Sequence, residues 1–167
     1  MENPARYTRQ IYYRDKDDLF VNLYISSEIN IEDKDIKLVQ KTSFPKSNKI
    51  KLTFEEAMGK FINIKIRIPS WASGEVTAVV NGSKRYVSSE KGYLTIGGNW
   101  KTNDVIEFAI PMALHIYTSK DDPNKIAFMY GPIVLAGALG RENFPETDIL
   151  DDHLKLNHYP GILVPTL

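Results

Sequence analysis

Three kinds of side chain in this sequence carry potential chemistry: adjacent carboxylates, scattered histidines and a large set of aromatic rings. The adjacent carboxylates are Asp17-Asp18, Glu55-Glu56, Asp121-Asp122 and Asp151-Asp152. Glycoside hydrolysis needs two carboxyl groups about 5 to 9 Å apart across a bound sugar. Neighbours on a strand point to opposite faces, and in loops such pairs are solvated turn residues. Glu2, Glu28, Glu75 and Glu107 stand singly. His115 alternates with Leu114 and Ile116 and is expected to face solvent or an inter-strand hydrogen bond. Asp151, His153 and His158 are the nearest thing to a metal cluster, but they lack the i, i+4 pairing of a helical ligand site. The serines have no G-x-S-x-G setting and no glycine-rich phosphate loop occurs. Cys is absent, which removes thiolate nucleophiles, thiolate zinc sites and disulfides. The expectation is no catalytic, metal or cofactor residue in this chain.

The aromatic residues are more suggestive: nine Tyr, seven Phe and two Trp. Aromatic faces stack on the C–H faces of sugars and also dominate protein cores and interfaces. Tyr12, Tyr13, Trp71 and Trp100 are the candidate contacts to a sugar or to a neighbouring domain. Core packing is the competing role for the two Trp. Trp71 follows the most regular strand pattern and is expected to be largely buried.

Those residues must be held by strands. Phe61 to Ile68 places isoleucine at every second position, so one face meets a core and the other water. Ile50–Phe54 and Ile106–Ile110 repeat the pattern. Leu19–Ile25, Ile36–Gln40, Val76–Val80, Tyr93–Ile96, Leu114–Thr118 and Ile126–Leu135 are further short runs rich in β-branched and aromatic residues. Asn81-Gly82 accepts the positive φ of a type I′ turn. Asp15 to Asp18, Gly97-Gly98-Asn99, Thr102-Asn103-Asp104 and Asp121 to Asn124 read as looser connections. Closely spaced strands of this kind predict an all-β protein, an antiparallel β-sandwich of about ten to twelve short strands. Asn3 and Pro4 suit the start of a short helix over residues 4 to 10. Residues 140 to 167, with Pro145, Pro160 and Pro165, read as an irregular tail. The expected organisation is a connector over 1–9, a sandwich over 10–139 and a tail over 140–167.

Composition agrees with a folded domain. Of 167 residues, 43% are hydrophobic and 25% charged, close to globular averages. The 21 Lys+Arg balance 21 Asp+Glu, which argues against nucleic acid or an anionic membrane surface as partner. No apolar run approaches the ~20 residues needed to span a bilayer. Met1 to Pro4 does not read as a signal peptide, and compartment is not legible.

Several phrases then carry a family likeness. Met1-Glu2-Asn3, Ile11-Tyr12-Tyr13 and Leu19 to Ile25 are followed by Ile66-Arg67-Ile68-Pro69-Ser70-Trp71-Ala72. Val80-Asn81-Gly82, Gly92-Tyr93-Leu94, Trp100 with Asp104-Val105-Ile106, Ile110-Pro111-Met112, Lys125-Ile126-Ala127 and Tyr130 to Val134 come next in order. Together they resemble the β-L-arabinofuranosidases of glycoside hydrolase family 127, from Met1 to about Leu139. The resemblance implies a parent enzyme with an (α/α)6-barrel catalytic domain followed by β-sandwich domains. It implies a zinc-bound cysteine thiolate as nucleophile and a glutamate as acid/base, with the paired cysteines a few residues before the Met-Glu-Asn phrase. A metal-bound thiolate stays deprotonated, which suits it to attack. No catalytic residue of the family maps onto this chain. The expected role is that of a noncatalytic sandwich, part of a longer chain, that packs on and stabilises the barrel. The alternative is a self-sufficient carbohydrate-binding module. Arabinose-containing glycans and weak self-association are the further expected partners. Residues 1 to 9 are expected to be frayed or held by a neighbouring chain, and Gln10–Arg14 to form a hairpin with Leu19–Ile25.

Overall fold

The alternation of isoleucine with polar residues becomes an 11-residue strand, Met58–Ile68. In the computed structural model, which describes residues 9–87 and 92–137, Ile62, Ile64, Ile66 and Ile68 are buried while Arg67 on the other face is exposed. The described strands in chain order are β1 Tyr12–Asp15, β2 Asp18–Val21, β3 Ser27–Ile31, β4 Ile36–Thr42, β5 Lys49–Glu56, β6 Met58–Ile68 and β7 Thr77–Val80. They continue with β8 Lys84–Val87, β9 Gly92–Lys101, β10 Val105–Ala109, β11 Leu114–Thr118, β12 Ile126–Tyr130 and β13 Ile133–Val134. A compact unit ends at Leu135.

The protein is all-β. One sheet runs β1-β2-β6-β9, a second β3-β4-β5-β10-β7-β8, and a third β11-β12-β13. The first two enclose one hydrophobic interior. Leu19, Val21, the β6 isoleucines, Leu94, Ile96 and Trp100 come from the first sheet. Ile36, Leu38, Ile50, Leu52, Phe54, Ala78, Ile106 and Phe108 come from the second. Each strand supplies every second residue, because the pleat sends the alternate ones outward.

Several expectations are corrected. The pairing of β2 with β6 is parallel, Leu19 opposite Ile64 and Val21 opposite Ile66; the other pairings among the described strands are antiparallel. Leu19–Ile25 is not one strand. It stops at Val21, and residues 22–26 carry the chain to the second sheet, where β3 begins. That crossover is pinned from inside. The buried Gln40 side-chain amide donates to the carbonyls of Leu23 and Ile25 at 3.0 and 2.7 Å, and the Tyr24 hydroxyl donates to the Arg67 carbonyl. Strands β3 and β8 are not legible as strands in the sequence. Gly97-Gly98-Asn99 lies inside β9 rather than in a connection. A Cβ on Gly97 would stand 2.6 Å from Asn63 Oδ1 and 3.2 Å from Phe61 Cζ, so the missing side chain makes room for these two neighbours on β6.

The hairpin of β1 and β2 forms with Tyr12 opposite Val21 and Tyr13 opposite Phe20. At Asn81-Gly82 both φ are positive, 49° and 70°, and the Ser83 N–H donates to the Val80 carbonyl at 3.1 Å. The strands rejoin at Val80 and Lys84, so the turn carries one residue more than a two-residue hairpin. Glu32–Lys34 forms a 3₁₀ turn. Most of the expected N-terminal helix, and the 140–167 tail with Asp151, His153 and His158, lie outside the described residues; Arg9 and Gln10 sit in a turn.

Candidate functional site

The outward residues of the first sheet form a row of rings and charges. Strand β1 contributes Tyr13, β2 Asp18 and Phe20, β6 Phe61, Asn63, Lys65 and Arg67, and β9 Tyr93. Cross-strand register sets Tyr13 beside Phe20, Phe20 beside Lys65, and Arg67 beside Tyr93. The rings of Tyr13 and Phe20 lie 5.7 Å apart, and Tyr93 meets Phe20 edge-on at 5.2 Å. The Lys65 ammonium sits 4.8 Å from the Phe20 centroid, within cation–π reach. Lys65 also pairs with Asp18 at 2.5 Å, while Asn63 Nδ2 donates to the other Asp18 oxygen at 2.8 Å.

Beyond the row, the Tyr93 hydroxyl donates to Asn22 Oδ1 at 2.7 Å. A cavity of about 350 Å³ opens there, lined by Arg9, Tyr12, Tyr13, Asn22, Arg67 and Tyr93 among others. Tyr12 is half-buried and its hydroxyl is 3.0 Å from Ser27 Oγ. Burial pushes its phenol pKa up, so Tyr12 stays neutral.

The four sequence candidates therefore separate. Tyr12 and Tyr13 share the cavity. Trp100 is inside the sandwich at 3% exposure, stacked 4.5 Å over Phe54, with its indole N–H donating to the Ile62 carbonyl at 3.0 Å. It offers no ring face to a ligand. Trp71 is only partly buried, against the expectation, because it lies past the end of β6, stacked 6.1 Å over Phe44 at the border of the core. His115 is half-buried, its Nδ1 3.4 Å from the Ala113 carbonyl. Sequence reasoning missed Arg9, Phe20, Arg67 and Tyr93. The outward phase of Phe20 and Arg67 was available from the alternation, but their convergence was not.

Many of the described carboxylates are held in ion pairs. Adjacent Asp17 and Asp18 take different cations, Lys34 and Lys65. Glu55 pairs with Lys37 at 3.0 Å, and Asp33 with Arg14. The hydrogen bond from Lys65, then that from Asn63, lowers the Asp18 pKa, and Arg14 lowers that of Asp33. A general acid at neutral pH needs the opposite shift. Among the described residues no three His, Asp or Glu gather to hold a metal ion. Two larger cavities are open and lined by lysines and Glu107, or by Glu28, Glu32, Asp35 and Glu56.

The Asp18 shift gives a test. Its folded pKa lies below the unfolded one, so its contribution to stability is complete above the ordinary aspartate pKa and is lost as pH falls through the folded value. Lys65→Met is expected to raise the Asp18 titration, followed by carboxyl NMR, towards the ordinary range. An unmoved titration would mean that the ion pair does not form in solution.

The third sheet has a different character. Leu114, Ile116, Ile126, Phe128, Tyr130 and Ile133 are all exposed, between 36% and 71%. Register puts Leu114 opposite Tyr130, Ile116 opposite Phe128, and Ile133 opposite Tyr130. They form one continuous apolar face, the kind of surface that marks an interface.

The family model described as "Beta-L-arabinofuranosidase, GH127 middle domain" matches residues 18–112, more than half of the chain. No curated protein matches. Among solved structures, the chain is similar to a GH127 β-L-arabinofuranosidase from Geobacillus stearothermophilus T6, with 26% identity and a TM-score of 0.65. That match covers 78% of this chain and 22% of the other. A second GH127 enzyme, described as a β-arabinofuranosidase, gives 28% identity and a TM-score of 0.64, over 74% of this chain and 23% of its own. A structure described as a glycoside hydrolase shares the fold, with a TM-score of 0.68 at 24% identity, over 77% of this chain and 23% of its own. The chain spans under a quarter of the length of each.

Proposed function

This chain belongs to the family of GH127 β-L-arabinofuranosidase middle domains, and from that membership we propose that it is a noncatalytic accessory sandwich that packs against the catalytic barrel of its enzyme and stabilises it. The barrel supplies the hydrolysis; the sandwich supplies a rigid surface beside it. The observation that carries this reading is the exposed apolar face of the third sheet. Six large apolar side chains left in water would be unfavourable by roughly 25 cal/mol per Å² relative to burial, and a neighbouring domain removes that cost. The described carboxylates agree, since those with shifted pKa values are held low by cations. Residues 10 to 139 are the sandwich body in this reading, and zinc belongs to the parent's catalytic domain.

Three measurements test it. The 167-residue chain alone is expected to release no product from an aryl arabinofuranoside and to self-associate weakly in sedimentation velocity. Ile116→Asp with Phe128→Asp, both on an exposed face, is expected to abolish that association without unfolding the sandwich. In the polypeptide that carries the catalytic domain, the same pair is expected to lower the melting temperature of the barrel. Hydrolysis by the isolated chain, or a barrel transition indifferent to the two aspartates, would overturn the proposal.

A further inference from the structure

We infer that the cavity at the end of the aromatic row is a binding site for acidic oligosaccharides, chains containing uronic-acid sugars. The inference goes beyond domain packing, because it gives the sandwich a ligand of its own. Two arginines line the cavity, Arg9 and Arg67. Among the described residues neither guanidinium has a hydrogen bond or an ion pair. The other two described arginines are engaged, Arg14 with Asp33 and Arg85 with the Thr77 hydroxyl. Among the described residues no carboxylate lines the cavity. The guanidinium fork matches a carboxylate in a bidentate way that a lysine cannot. With a formal net charge of zero on the whole chain, attraction of an anion here is a local property.

The rest of the lining suits a sugar better than a lone carboxylate. Tyr13 and Tyr93 offer ring carbon to the C–H faces of a pyranose, while Tyr12 packs inward against the core and closes the cavity from behind. Tyr93 is held in advance, by its hydroxyl on Asn22 and by the edge contact with Phe20, so little ordering is left to do on binding. Asn22 spends its carbonyl oxygen on Tyr93, which leaves its side-chain N–H groups for a ligand hydroxyl. A volume of about 350 Å³ falls at the small end of the range for organic ligands and exceeds what one acidic side chain fills. The row of Tyr13, Phe20 and Lys65 runs on from the cavity, which favours an oligomer over a monosaccharide. A neutral sugar would leave both guanidinium groups unmatched.

The test is calorimetric titration of the 167-residue chain with trigalacturonate, neutral arabinotriose and a triglutamate peptide. Trigalacturonate is expected to bind, and to bind less tightly as salt rises. Arg67→Gln and Arg9→Gln, both at exposed positions, are each expected to weaken it at least tenfold with an unchanged circular dichroism spectrum. Tyr93→Ala is expected to weaken it as well, and Lys51→Gln, on the second sheet and outside the cavity lining, to leave it alone. Absent binding, or affinity indifferent to both arginine changes, overturns the inference. Equal binding of arabinotriose overturns the acidic preference, and equal binding of triglutamate assigns the cavity to a protein carboxylate instead. Each result is independent of whether the third sheet docks a barrel.

Discussion

Trp100→Ala is expected to destabilise the domain by about 3 to 5 kcal/mol, the range for removing a large aromatic side chain from a core. The ring lies flat on Phe54, 9° from parallel, and so bridges the two sheets of the sandwich. Its indole N–H also donates to the Ile62 carbonyl, a buried hydrogen bond that alanine removes. Trp100→Phe keeps part of the packing and loses that hydrogen bond, so it should fall between the two. Trp71→Ala, at the border of the core, should cost only about 1 to 2 kcal/mol. Urea unfolding at constant m-value separates these numbers. A larger loss at Trp71 than at Trp100 would reverse the assignment of core and border.

The second large effect belongs to a polar residue. Gln40 is 1% exposed, among side chains that are otherwise apolar. Gln40→Ala is expected to cost about 2 to 3 kcal/mol, because the part-buried carbonyls of Leu23 and Ile25 each lose a hydrogen bond, worth about 1 kcal/mol apiece, and the removed side chain leaves a cavity. Gln40→Leu fills the volume but donates nothing, so it should recover little. Hydrogen exchange is expected to quicken first along residues 22–27, the crossover that Gln40 holds. Among the described residues the Gln40 Oε1 atom has no partner; what the side chain contributes is the pair of bonds its amide donates. Stability equal to wild type in Gln40→Leu would show that the crossover is held by packing alone.

Much of this architecture is legible in the amino-acid sequence by itself. Isoleucine at 62, 64, 66 and 68 dictates a strand with one dry face, because the pleat has a period of two and burial of β-branched side chains dominates the free energy. Asn81-Gly82 dictates a left-handed turn, since few other residues tolerate positive φ there. The absence of Cys excludes thiolate chemistry from this chain, and the ordered phrases from Ile66 to Val134 carry the family. All of these signals are local, or are matched phrase by phrase along the chain.

What tertiary structure alone decided is which outward residues meet. Tyr93 bonds to Asn22 across 71 positions of sequence, and Trp100 rather than Trp71 reaches Phe54. The parallel register of β2 on β6 is what brings Phe20 beside Lys65. A period of two tells each strand which residues face out, but it says nothing of which strand lies alongside or in what register. Those are set by how buried side chains from distant segments interlock and by how far the crossovers reach. The cavity of Arg9, Arg67 and Tyr93 exists only after that choice is made. Its residues come from the turn before β1, from β6 and from β9, and no stretch of sequence holds them together.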